Sequence, residues 1–164
     1  MIEFKRVDLI RHMILAFFTM GLYNFWWVYK AWMYFQEKDK SDINPALRTI
    51  FSTFFLIPLF YKTEKGMVHN RVLRSMVSIL WFAGILIFSL LAYLPSPESY
   101  MSVLSIFFFI QPVIAFNNML DTDEVVMVIE QSTFNWKQII LLVVGGLFWG
   151  LITLTVVVRM LGLI

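Results

Sequence analysis

Residues Met76–Leu94 read MVSILWFAGILIFSLLAYL, nineteen positions without one charge. At 1.5 Å per residue such a helix is about 28 Å long, close to the ~30 Å hydrocarbon thickness of a bilayer. Soluble cores interleave polar residues at helical or strand spacing, and this stretch does not. It predicts a spanning helix.

Working outward, the same pattern recurs. Residues 101–116 are uncharged, with Gln111 and Pro112 near the end, and 139–158 are uncharged up to Arg159. Pro95, Ser96 and Pro97 predict a tight turn joining the first two into a hairpin. Asn135, with Gln138 three residues on, has the form of a capping box opening the last helix. Two earlier apolar segments are less regular. Residues 12–35 begin apolar and end aromatic, with Tyr23, Trp26, Trp27, Tyr29, Trp32, Tyr34 and Phe35. Tryptophan and tyrosine favour membrane interfaces, so this segment either spans or lies partly at the boundary. Residues 46–61 are short, opened by Asn44-Pro45 as cap and first helical residue and interrupted by Pro58. Residues 62–75 read as a short amphipathic connection, and 125–129 as a short surface helix within a polar loop.

The fold class is therefore all-α and polytopic. One integral membrane domain covers 1–164, with three spanning helices and an aromatic-rich N-terminal hairpin that spans or is re-entrant. Composition agrees: 60% of the 164 residues are apolar and 15% charged, against about 45–50% and 25% in soluble domains. The net charge of +2 and the lack of a basic, aromatic-interleaved surface argue against nucleic acid. The absence of cysteine excludes disulfides, thiolate catalysis and cysteine metal sites.

Basic residues report topology through their bias to the cytoplasmic side. Lys5, Arg6 and Arg11 place the N-terminus there, ahead of an apolar segment that reads as an uncleaved anchor. Lys62, Lys65, Arg71 and Arg74 place the second connection there, and the C-terminus falls outside. The first two segments then cross twice or not at all: Lys38 and Lys40 weigh against crossing, and the protein or water cover that irregular backbone needs at membrane depth weighs against a re-entrant hairpin.

Candidate sites are few. Gly146 and Gly150, beside Gly145, form a G-x-x-x-G for close helix packing, within the chain or against a partner. Lys30 is a cation inside an apolar segment, costly unless paired or snorkelling to a helix end. Asn24, Gln111 and Asn117 are the other intramembrane polar candidates. Arg48, Lys62, Lys65, Arg71 and Arg74 form an interfacial basic set suited to anionic lipid. His12 and His69 have no third ligand at metal-binding spacing. Asp121, Asp123 and Glu124 read as a solvated acidic cluster. Ser52, Ser78, Ser89 and Ser105 are scattered hydroxyls without a nucleophile motif. No carboxylate falls inside any of the five apolar segments. No catalytic, cofactor or metal residues are assigned.

Thr19-x-Gly21-x-Tyr23, followed by Trp27-x-Tyr29-Lys30, resembles the opening of a family of small bacterial multi-pass membrane proteins defined as a domain of unknown function. Asn44-Pro45-x-x-Arg48-x-x-Phe51, Asn117-Asn118 and Trp136-Lys137 leading to Gly145-Gly146-x-x-Trp149 are similar too. The resemblance implies a bacterial cytoplasmic membrane and carries no activity or cofactor. The expected function is a non-enzymatic accessory or scaffold subunit, with the lipid bilayer and another membrane protein or itself as partners. The alternatives are a homo-oligomeric channel or transporter lined by Asn24, Lys30, Gln111 and Asn117, and an interfacial lipid-modifying enzyme using His12 or His69.

Overall fold

The structure is a computed structural model describing residues 2–6, 8–95, 98–123, 126–131 and 133–161. Three helical stretches are long and apolar enough to cross a membrane: Arg71–Tyr93, Ser99–Asp121 and Trp136–Met160. The first is α5 (Arg71–Leu90) with a 3-10 turn at Leu91–Tyr93. The second starts as a 3-10 helix over Glu98–Phe109 and relaxes into α6 (Ile110–Asp121). The third is α7 (Trp136–Met160). Ser96 and Pro97 of the expected turn lie outside the described residues.

Local chemistry sets the helix starts. Asn135 accepts from the Gln138 amide and Gln138 reaches back to the Asn135 N–H, the reciprocal capping box that opens α7. Asn70 accepts from the amides of Val72 and Leu73 to start α5. Hence Arg71 and Arg74 belong to the first turns of a spanning helix, and 62–75 is no separate amphipathic connection. α4 (Ser52–Thr63) runs into it through a 3-10 turn at Glu64–Gly66.

Segment 12–35 is not one helix. α1 (Leu9–Phe18) and α2 (Leu22–Asp39) are separated by a reversal in which Met20 and Gly21 take left-handed backbone, φ 51° and 88°. α1 has 10 residues, about 15 Å, and is too short to cross. Its start adjoins β1, and the end of α2 reaches Asp123 just past α6, so the hairpin enters and leaves at one end of the bundle. The reversal lies within the first apolar segment rather than between segments 12–35 and 46–61. Segment 46–61 also breaks, at Phe51, into α3 (Pro45–Ile50, capped by Asn44) and α4. Pro58 is held inside α4.

Irregular backbone at membrane depth needs protein partners. At the α1–α2 tip, the Thr19 hydroxyl donates to the Leu15 carbonyl and accepts from the Tyr23 amide. Gly21 N–H donates to the Ala16 carbonyl at 2.7 Å. From α7, the Trp149 indole N–H donates to the Phe17 carbonyl at 3.1 Å, and its ring stacks on Phe17.

A parallel two-stranded ribbon is added to the helical class. β1 (Ile2–Arg6) pairs with β2 (Val126–Glu130), Phe4 opposite Val128. The expected surface helix at 125–129 is therefore corrected to a strand over its described part, while Val125 lies outside the described residues. Val126, Val128 and Ile129 suit extended backbone, and a strand 120 residues upstream supplies its partner. Phe4 of β1 packs edge-on against both Tyr34 and Phe116, which also meet each other. The main core, around Trp32, Tyr34, Phe60 and Phe116, lies between the short helices and α6. Only 6% of the most apolar window of α7 is buried, so most of its apolar surface faces outward.

Candidate functional site

Two places gather the polar residues of this apolar chain. The first lies between α2, α6 and the start of α7. His12, on α1, is 1% exposed and shares a 3.0 Å hydrogen bond between Nε2 and the Asn24 side-chain oxygen. As that amide is oriented, Nε2 carries the proton. Burial pushes the imidazolium down to about 4, against the opposing Asn24 hydrogen bond, so the ring is neutral near pH 7. One turn away, the Tyr23 hydroxyl accepts from Gln138 at 3.1 Å, and Gln138 accepts from Gln131 at 2.5 Å. Burial pushes the Tyr23 phenol up, so it keeps its proton.

His12, Tyr23, Gln131 and Gln138 wall a cavity of about 180 Å³, together with Lys30, Asn117, Trp27 and Phe116. Lys30 lies 5.5 Å from the centre of the Trp26 ring. Among the described residues no carboxylate is within ion-pair distance of it. Arg6, the other cation of the wall, is bound to Asp121 at 2.5 Å and to Glu130. Three of the four intramembrane polar candidates thus converge: Lys30 and Asn117 on the wall, Asn24 through His12. Gln111 does not, because its amide faces the Met67 sulfur at 3.7 Å.

The second place is a groove of about 450 Å³ between the ends of α2, α4 and α5. Its wall holds Lys38, Lys62, Lys65, Arg71 and Arg74, with one carboxylate, Asp39. Lys62 pairs with Asp39 at 2.6 Å, and Lys38 with Asp123 at 2.5 Å. The Arg74 guanidinium lies 4.6 Å from the centre of the Tyr61 ring, and its Nε is buried without a hydrogen-bond partner. Four of the five basic candidates meet here. Arg48 is elsewhere, held over Trp32 at 4.3 Å.

The acidic loop is not a free solvated cluster. Asp121 holds Arg6, while Asp123 accepts from the Tyr34 hydroxyl and pairs with Lys38; Glu124 lies outside the described residues. Burial first, then the Asp123 carboxylate, push the Tyr34 phenol up to about 12. His69 is exposed where His12 is buried. Among the described residues no three His, Cys, Asp or Glu side chains gather as a metal site requires.

Two features escape sequence reasoning. Ser52, Ser89 and Ser105, scattered along the chain, meet with Asn24 on a cavity of about 230 Å³ between the short helices and the α5 hairpin. Glu64, just past the second apolar segment, is fully buried with neither carboxyl oxygen hydrogen-bonded. It falls in the 62–75 stretch read as an amphipathic connection, and the flanking Lys62 and Lys65 give no signal of its burial.

Of the helix-packing glycines, Gly145 meets the backbone of Phe18 and Gly146 comes near the Phe18 ring, whereas Gly150 has open space around it. Gly84 on α5, not singled out by spacing, packs directly against the Phe108 ring.

The chain matches no protein-family model, no curated protein and no solved structure.

Proposed function

We propose that this protein is a non-enzymatic membrane accessory or scaffold subunit that holds anionic lipid headgroups at the end of its bundle where the N-terminus lies. One observation carries the reading: Lys62, Lys65, Arg71 and Arg74, from three separate elements, converge on one groove whose described lining contains a single carboxylate. Such convergence costs electrostatic repulsion, and an anion offsets it. Aromatic and apolar walls from Phe35, Tyr61 and Met119 suit the glycerol and upper acyl region beneath a phosphate. The positive-inside bias supports a cytoplasmic assignment for this end with the C-terminus outside, and the family resemblance supports a bacterial inner membrane.

The test is native mass spectrometry of the detergent-released protein after exchange into mixed phosphatidylglycerol and phosphatidylcholine. Selective retention of the anionic lipid, lost in Lys65→Gln/Arg71→Gln, is expected. Equal retention of both lipids removes the reading.

A second reading, a conduction path, has one specific support. Asn24 walls the hydroxyl-lined cavity and also bonds His12 on the wall of the other. Ion flux in reconstituted vesicles, altered by Asn24→Leu, is what this reading requires.

A further inference from the structure

The Lys30 cavity has a neighbour. A groove of about 390 Å³ runs between α2 and α7, lined by Leu22, Leu141 and Thr19, with Lys137 on its wall. Tyr23, Trp26, Asn135 and Gln138 belong to both walls, so the two spaces adjoin. One is donor-rich. Lys30 is without a carboxylate among the described residues, and the Tyr23 hydroxyl accepts from Gln138, leaving its own proton for an oxygen acceptor. Among the described residues no carboxylate lines either space. The other is apolar and lies against a helix whose surface is largely unburied.

We infer that the cleft between α2 and α7 holds a single-chain anionic amphiphile, its head at Lys30 and Tyr23 and its acyl chain along Leu22 and Leu141. The head is a carboxylate or a phosphate monoester. Both accept from an ammonium and a phenol, which are the donors the cavity leaves unspent. A cationic or zwitterionic head would set a positive group beside Lys30 with no carboxylate to meet it. The chain needs no burial from water, because lipid already surrounds it, so selectivity rests in the head. This site is separate from the basic groove at α4 and α5, and shares no lining residue with it.

The experiment uses the full chain in phosphatidylcholine nanodiscs, titrated with dodecanoate, dodecyl phosphate and dodecyltrimethylammonium. One of the two anions binding at one per chain is expected, and which one identifies the head; the cation does not bind. Lys30→Gln weakens binding by about tenfold, the loss of one charge-assisted hydrogen bond, and Lys30→Arg retains it. Leu141→Trp, which fills the groove, abolishes binding of the dodecyl ligand but leaves butyl phosphate or butyrate bound as before. Each variant is first shown to melt like the parent. Undiminished binding to Lys30→Gln overturns the inference. So does loss in Arg71→Gln with none in Lys30→Gln, which would assign the anion to the basic groove and leave the proposed function standing. Lys30-dependent binding without headgroup selectivity at the basic groove would do the reverse.

Discussion

The carbonyl oxygen of Phe18 lies 2.2 Å from where a β-carbon on Gly145 would be, so α7 meets the end of α1 backbone to backbone. The obstacle is main chain, which cannot swing aside as a side chain can. Gly145→Ala must push the hairpin tip off α7, and overpacking of this kind costs about 1–3 kcal/mol. Gly150→Ala meets nothing and should leave the monomer unchanged. Thermal melting in detergent, followed by tryptophan emission, compares the two. Equal melting temperatures would remove the claim that Gly145 serves this chain's own packing.

Trp149 completes the same junction. Its indole N–H donates to the Phe17 carbonyl, which also accepts from the Met20 amide at 3.1 Å. Trp149→Phe keeps a ring to stack and removes the donor. The expected cost is about 0.5–1 kcal/mol, the net worth of one hydrogen bond whose acceptor keeps another donor. Hydrogen exchange should then show faster exchange at Gly21 and Leu22, with the rest of α2 unchanged. Unchanged protection at the tip would mean the bond is not what holds it.

The placement of both ends of the α1–α2 hairpin at one end of the bundle makes a topological prediction that the cysteine-free chain makes easy to read. Asp42, Thr133 and Tyr93 are exposed, Tyr93 to 87%. Single cysteines at 42 and 133 should label from the same side of the membrane, and one at 93 from the opposite side. Two crossings by the N-terminal segments would instead move residue 42 to the side of residue 93.

These tests follow a division in what the sequence makes legible. The spanning helices show plainly because length and absence of charge are local properties, and the caps at Asn44 and Asn135 because their partners lie three residues away. The reversal at Met20–Gly21 is masked by aromatic residues that continue the apolar pattern across it. The β1–β2 ribbon is illegible because strand pairing joins segments 120 residues apart. The sites divide in the same way. Lys30 and the basic set are visible as charges in apolar context. Their company, namely Tyr23 with Gln138 and Lys38 with Arg74, exists only once α2 is laid against α7 and α5.

Tyr34, Lys38 and Asp123 tie the end of α2 to the chain beyond α6. Burial and the Asp123 carboxylate raise the Tyr34 phenol to about 12, above its unfolded value near 10. The folded state therefore holds a proton that the unfolded state has lost. The stability this contributes is complete below pH 10 and is lost as pH rises from about 10 to about 12. Asp123→Asn removes one of the two raising causes, so the tyrosinate absorbance step assigned by Tyr34→Phe should move to lower pH. A step that stays in place would mean burial alone sets it.

Glu64 inverts the usual expectation for a carboxylate. It is fully buried, neither oxygen has a hydrogen-bond partner, and burial pushes its pKa up. An uncompensated buried charge is unfavourable, so the protonated form is the one the fold accommodates. The folded state then binds a proton that the unfolded state releases at lower pH. The associated stability is present below the unfolded pKa near 4.5 and is lost as pH rises through the raised value. Glu64→Gln keeps the shape and removes the charge. It should melt higher than the parent at pH 8, with the gap closing as the pH falls toward 4.5. A variant that melts lower at every pH would show that the ionised carboxylate has a partner in the membrane-embedded protein, and would reassign Glu64 from a silent buried acid to a working one.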